Sequence, residues 1–260
     1  MAKQVGDLAD VAERAPAQAP SPARVGQHGS TYDARPPRAP ARAPACTHGA
    51  PTTEAIHNSR AGLLIDWGGV LTTNLFTSFH EYCIRMEIDP DALGKRFSAD
   101  PEFRELLIAL EKGAMREPDF EQRFAAILGV APDGLIDGLF AGVRPDTAMI
   151  EAVRAAREAG IRTALVSNSW GVQRYPHDLF AEIFDGVVIS AEEGTRKPAR
   201  RMYELGAERA GVAVELCVFV DDLPFNLTPA QELGMATVHH TSADTTIPEL
   251  EALLGVPLGG

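Results

Sequence analysis

The sequence predicts an α/β protein, a doubly wound parallel sheet with a helical cap inserted after its first strand. Three observations lead to it. Short, continuously apolar runs recur from residue 62 onward, and segments of helical periodicity separate most of them. One stretch, residues 75–143, is helix-rich throughout and too long for a loop.

The first strand is residues 62–66 (GLLID), whose unbroken hydrophobicity suits a parallel strand covered on both faces. Residues 75–143 follow, with helical patterns in FTSFHEYCIRM, PEFRELLIALEKG and EPDFEQRFAAILGV, and read as a small helical domain over a site. Residues 146–159 place Met149, Ile150, Val153 and Ala156 on one helical face, with Gly160 positioned to end the helix. IRTALVSN (161–168), GVVIS (186–190), LCVFVDD (216–222) and MATVHH (235–240) are the remaining strands. Further helices are expected over 199–210 and over 228–233, the latter closed by Gly234. The core thus comprises residues 60–74 and 144–260, and the cap residues 75–143.

Residues 1–59 differ in kind. They carry much of the proline and almost no large apolar side chain, so they cannot bury enough surface to offset ordering and read as a disordered tail. Arg35, Arg38 and Arg42 in it read as part of a solvated linker.

Composition narrows the function. With 260 residues and 45% hydrophobic content the chain can bury a core, and a net charge of −12 disfavours nucleic acid and favours small ligands. Cys46, Cys83 and Cys217 are odd in number and scattered, which indicates neither a disulfide framework nor a zinc site; Cys217 reads as an apolar filler. The amino terminus lacks the apolar core of a signal peptide, and no segment approaches the ~18 apolar residues of a membrane span, so a cytoplasmic protein is expected. Oligomeric state is not legible.

In an open α/β sheet ligands gather at the carboxyl ends of the strands. Asp66, Ser167 with Asn168, and Asp221 with Asp222 stand at three such ends, and the loop TRKP (195–198) adds Lys197. Singly, each has an ordinary reading as a strand end, helix cap or exposed loop; their conjunction points to a site. Trp170, Tyr175 and His177 fit core packing or an ordered loop at least as well as substrate contact. His239 and His240 lack a third metal ligand and read as structural or solvated. Arg196, Arg200 and Arg201 read as a solvated helix face.

DWGGVL (66–71), LVSNSW (165–170), GTRKP (194–198) and FVDDLPFN (219–226), in that order and with a helical insert after the first, resemble the four motifs of the haloacid dehalogenase-like (HAD) hydrolases. The resemblance covers about residues 61–256 and is nearest to the branch with an amino-side helical cap, which includes the phosphatase domain of soluble epoxide hydrolases and bacterial sugar-phosphate phosphatases. It implies a Rossmann-like core and a phosphatase acting on a small phosphomonoester. Asp66 would be the nucleophile, forming an aspartyl-phosphate. Ser167 and Asn168 would bind phosphoryl oxygens, and Lys197 would offset the gathered negative charge. Mg²⁺ would be held by Asp66, the backbone carbonyl of Gly68, Asp222 and, in support, Asp221, with Asn226 orienting that region.

Most members of the family carry a second aspartate where this chain has Gly68. That carboxylate serves as acid and base, a role typically worth about 10²–10⁴-fold in rate. Two alternatives therefore stand beside the phosphatase: a catalytically weakened, phosphate-binding or regulatory relative, and a magnesium-free 2-haloacid dehalogenase in which Asp66 attacks carbon. The Asp221–Asp222 pair argues against the dehalogenase.

Overall fold

The computed structural model describes residues 60–259. The expected tail, with its arginines and Cys46, lies outside the described residues.

Five strands form one parallel sheet: β1 (Gly62–Ile65), β2 (Arg162–Ser167), β3 (Gly186–Ile189), β4 (Cys217–Asp221) and β5 (Ala236–His239). Their order is β3-β2-β1-β4-β5, so the chain winds outward from β1 first in one direction and then in the other. The helices are α1 (Leu75–Arg85), α2 (Pro90–Ala99), α3 (Pro101–Glu111), α4 (Glu117–Leu128), α5 (Leu135–Phe140), α6 (Thr147–Glu158), α7 (His177–Ile183), α8 (Ser190–Glu193), α9 (Arg200–Ala210), α10 (Pro224–Glu232) and α11 (Ala243–Leu254).

Why the strands read as continuous apolar runs is visible in the packing. Successive side chains point to opposite faces, and here both faces are covered. Leu63, Ile65, Leu165, Val218 and Val220 join Met149, Val153, Phe180 and Leu250 from α6, α7 and α11. On the other face Leu64, Val166 and Phe219 join Met202, Tyr203 and Leu227 from α9 and α10. Each position of β1 and β4 is thus buried under one layer or the other.

Helices α1–α5 enclose a third cluster of their own, built on Phe79, Tyr82, Phe103, Phe120, Phe124 and Leu139. Their starts follow capping chemistry: Asn74, Asp89 and Asp100 each accept backbone N–H bonds, and proline sits in the first turn of α2, α3 and α4. The entry and exit of this helical segment run side by side. Thr73 N donates to Arg144 O at 2.8 Å, Arg144 N to Thr73 Oγ1 at 3.0 Å, and Asp146 N to Leu71 O at 2.9 Å.

The expectation of a helix over 228–233 needs correction: α10 begins at Pro224. Proline at the first turn has its φ preset for a helix and gives up only an N–H that would be unpaired there, so what looks like a loop is a helix start. The last helix, α11, and the short α7 and α8 were not expected. Cys83 and Cys217 are buried free thiols. Among the described residues, no helix is long and apolar enough to cross a membrane.

Candidate active site

The carboxyl ends of β1, β2 and β4 converge, and the loop after α8 reaches in between them. Lys197 comes from that loop and is fully buried. Its Nζ lies 2.9 Å from Asp66 Oδ1 and 2.7 Å from Asp221 Oδ2, so one ammonium bridges the ends of two neighbouring strands. A buried lysine survives only with such partners. Burial works against its charge, but the two carboxylates prevail and hold its pKa above the ordinary value.

Each further residue singled out in the sequence has a definite contact. Asn168 clamps the lysine: its Oδ1 accepts from Lys197 N at 2.8 Å and its Nδ2 donates to Lys197 O at 3.1 Å. Ser167 is buried with its Oγ 2.9 Å from the Tyr175 hydroxyl. Asp221 accepts from Lys197, from both approaches of Asn226 Nδ2 (3.0 and 3.1 Å) and from Leu223 N at 2.9 Å, which satisfies it within the protein. Asp66 takes Trp67 N at 2.7 Å and Lys197 on the same oxygen, Oδ1, and neither contact uses Oδ2.

Ligand oxygens of Asp66, Asp221 and Asp222 all lie within 4.8 Å of one another. Three carboxylates face one ammonium, leaving an excess of negative charge. Burial, opposed by Lys197, raises the Asp66 pKa to about 6. Burial, together with the charges of Asp221 and Asp66, raises that of Asp222 to about 8. Asn226 Oδ1 is buried in the same place with no hydrogen-bond partner. Such a concentration of hard, charge-excess oxygens fits a divalent cation of the magnesium or calcium kind. The backbone turns closely here: Gly69 has φ +76°, and a Cβ on it would fall 2.4 Å from Asp222 Oδ2. Only glycine meets both demands.

Some neighbours carried no signal in the sequence. Arg196, expected on a solvated helix face, instead sits on the loop beside Lys197 and pairs at 2.5 Å with the buried Glu111 at the end of α3. Arg200 and Arg201 do lie exposed on α9. Ser190 Oγ donates to Glu111 O and accepts from Ser169 N, tying α3 to the core. Leu75 covers Gly68. A pocket of about 130 Å³ lies over the carboxylates, with Asp66, Lys197, Asp222 and Asn168 on one side and Leu75, Phe76, Phe97 and Trp170 among its apolar walls. A larger cavity of about 540 Å³ shares Gly68, Leu75, Asn168 and Trp170 with it and reaches Ser167 and Tyr175. Trp170 also packs on Phe79 and Phe120 of the helical cluster.

The histidines serve the frame. His239 Nε2 donates to Asp222 O at 3.1 Å, and the buried His240 pairs with Thr246 Oγ1 at 2.9 Å. His177 opens α7 in solvent.

A family model described as haloacid dehalogenase-like hydrolase matches residues 52–234. The chain is 37% identical over 114 residues to acyl-CoA dehydrogenase family member 10 of Mus musculus, covering 42% of this chain and 10% of that protein. It is 32% identical over 117 residues to a sesquiterpene phosphatase of Aspergillus oryzae, covering 44% and 59%. The chain therefore spans less than two thirds of either relative. Among solved structures, a HAD family enzyme of Bacteroides thetaiotaomicron, crystallised with magnesium and inorganic phosphate, superposes with a TM-score of 0.54 at 22% identity, over 70% of this chain and 95% of that one. At that identity the likeness is one of fold.

Proposed function

Because the chain belongs to the haloacid dehalogenase-like hydrolase family, we propose that it is a magnesium-dependent phosphatase that moves the phosphoryl group of a small phosphomonoester onto Asp66. The observation that carries the reading is the buried Lys197 bridge between Asp66 and Asp221, at the rim of a carboxylate cluster that fits a divalent cation. In the same reading α1–α5 form a cap, residues 75–143, on a core of residues 60–74 and 144–260.

Asp66 Oδ1 is held by Trp67 N and Lys197. That fixes the carboxylate and leaves Oδ2 as the attacking atom. Its oxygen forms a bond to phosphorus as the ester P–O bond breaks, and water then cleaves the acyl phosphate to release inorganic phosphate and restore Asp66. Lys197 stays protonated throughout and offsets the charge brought together by two anions. Asn168 keeps that lysine in place through its backbone, and Ser167 offers a hydroxyl oriented by Tyr175. Asp66, Asp222 and the Gly68 carbonyl, with Asp221 in support, would hold magnesium, which would shield the phosphoryl oxygens.

One observation favours a second reading, a phosphate-binding relative of weakened activity. Position 68 carries no acid–base side chain, and a Cβ there would meet the end of Leu75. A magnesium-free dehalogenase has no use for the paired carboxylates of Asp221 and Asp222. Phosphate release from p-nitrophenyl phosphate, with and without magnesium, separates the phosphatase from the other two: magnesium-dependent release supports the phosphatase, and its absence at saturating substrate overturns it.

A further inference from the structure

The walls of the pocket describe the molecule that fills it. From the helical side the lining is Leu75, Phe76, Phe79, Phe97 and Leu107, all apolar, with Glu111 the one charged contribution. Glu111 is already engaged, 2.5 Å from Arg196. Phe76, Phe79 and Phe97 stand with ring centroids 6.2–6.4 Å apart, and Trp170 approaches Phe79 at 5.3 Å, forming one aromatic surface that faces the carboxylates across a small space. A polyol bound there would bury hydroxyls against carbon, which is unfavourable without hydrogen-bond partners. A ring would meet edges and faces it packs against well.

The same lining speaks to the chemistry of the bond that breaks. A poor leaving group needs a proton as it departs. The cationic side chains at the pocket are paired: Lys197 with Asp66 and Asp221, Arg196 with Glu111. At position 68 there is no side chain, and the adjoining space holds Leu75.

We infer that the substrate is an aryl phosphomonoester, a phosphate on a single aromatic ring whose oxygen leaves as a stabilised anion. This rests on the phosphatase reading and names its substrate class. In the step, Asp66 Oδ2 bonds to phosphorus and the P–O(aryl) bond breaks. Its electron pair departs with the aryloxide, which takes its proton from water after leaving. Water then attacks phosphorus, and the Asp66–phosphate bond breaks to give the free carboxylate and inorganic phosphate.

Two matched comparisons on the unaltered protein with magnesium test it. The first is turnover of phenyl against benzyl phosphate, alike in shape and different in leaving-group acidity, with acetyl phosphate, a small acyl phosphate, as a third compound of good leaving group. Phenyl phosphate is expected to exceed benzyl phosphate in kcat/KM by about 100-fold, the scale of a missing general acid. The second is binding, by calorimetry, of phenylphosphonate against 2-hydroxyethylphosphonate, neither of which is hydrolysed; the phenyl compound is expected to bind about tenfold more tightly, the scale of apolar-pocket discrimination. Hydrolysis of acetyl phosphate with no preference in either comparison overturns the aryl assignment and leaves the phosphatase standing. Hydrolysis of none of the three compounds overturns the phosphatase reading, and the aryl assignment with it.

Discussion

Leu75 stands against Gly68: a Cβ at position 68 would lie 2.8 Å from Leu75 Cδ1. A side chain added at position 68 would first meet the flexible end of the first residue of α1.

It follows that Gly68→Asp alone inserts a carboxylate where a leucine must first move, whereas Gly68→Asp combined with Leu75→Ala provides the room. The single variant should lose less stability than the about 1–3 kcal/mol typical of core overpacking, because the atom met is the flexible end of a half-buried leucine. The double variant should recover much of it and show a shallower dependence of rate on leaving-group pKa than the parent. Rates over a series of substituted phenyl and alkyl phosphates measure this; equal slopes in parent and double variant would mean that another group already supplies the proton.

Lys197 is the counter-charge to the whole cluster, so Lys197→Met should leave the buried Asp66 and Asp221 and the half-buried Asp222 facing one another. Removing one partner of a buried pair typically costs about 3–5 kcal/mol. Denaturant unfolding should show a loss of that order without magnesium and a partial return with it. A loss below about 1 kcal/mol would mean that the bridge contributes no more than a surface pair.

In metal-free protein the raised pKa values set a pH dependence of known sign. Asp66 and Asp222 go from 3.8 to about 6 and about 8 on folding, so the folded state holds these protons more tightly than the unfolded state does. Their contribution is fully present below about pH 4 and is lost as pH rises through 6 and 8. Melting temperature in EDTA should therefore fall across this range, and magnesium should flatten the fall. A profile identical with and without magnesium would speak against a cation at these carboxylates.

Tyr175 reaches Ser167 with its hydroxyl inside the protein. Tyr175→Phe removes that bond while keeping the ring, which touches Trp67 and Phe180. Stability should fall by about 0.5–1.5 kcal/mol, and KM for a phosphomonoester should rise more than kcat falls. An unchanged KM would separate the Ser167 hydroxyl from substrate binding.

Strands were legible because parallel burial on both faces writes itself locally, as in GLLI and CVFVD, where every residue is buried. The helix start at Pro224 was not, because proline and asparagine read as loop until the strand before them fixes their direction. Among site residues, Asp66, Lys197, Asp221 and Asp222 could be singled out because strand ends are a topological address. The partners that restrain them were hidden for the opposite reason. Glu111 meets Arg196 across 85 residues of chain, Leu75 finds Gly68 only through the rotation of α1, and Asn168 turned out to clamp the Lys197 backbone with both ends of its amide. None of these pairings leaves a period or motif behind.

The central claim is that Asp66 becomes phosphorylated. Acid quenching during turnover of phenyl phosphate with magnesium, followed by mass analysis of the peptide carrying residues 62–74, tests it most directly. The account predicts the mass of one phosphoryl group on that peptide in the parent, and neither label nor phosphate release in Asp66→Asn. Phosphate release by Asp66→Asn at the parental rate would contradict it.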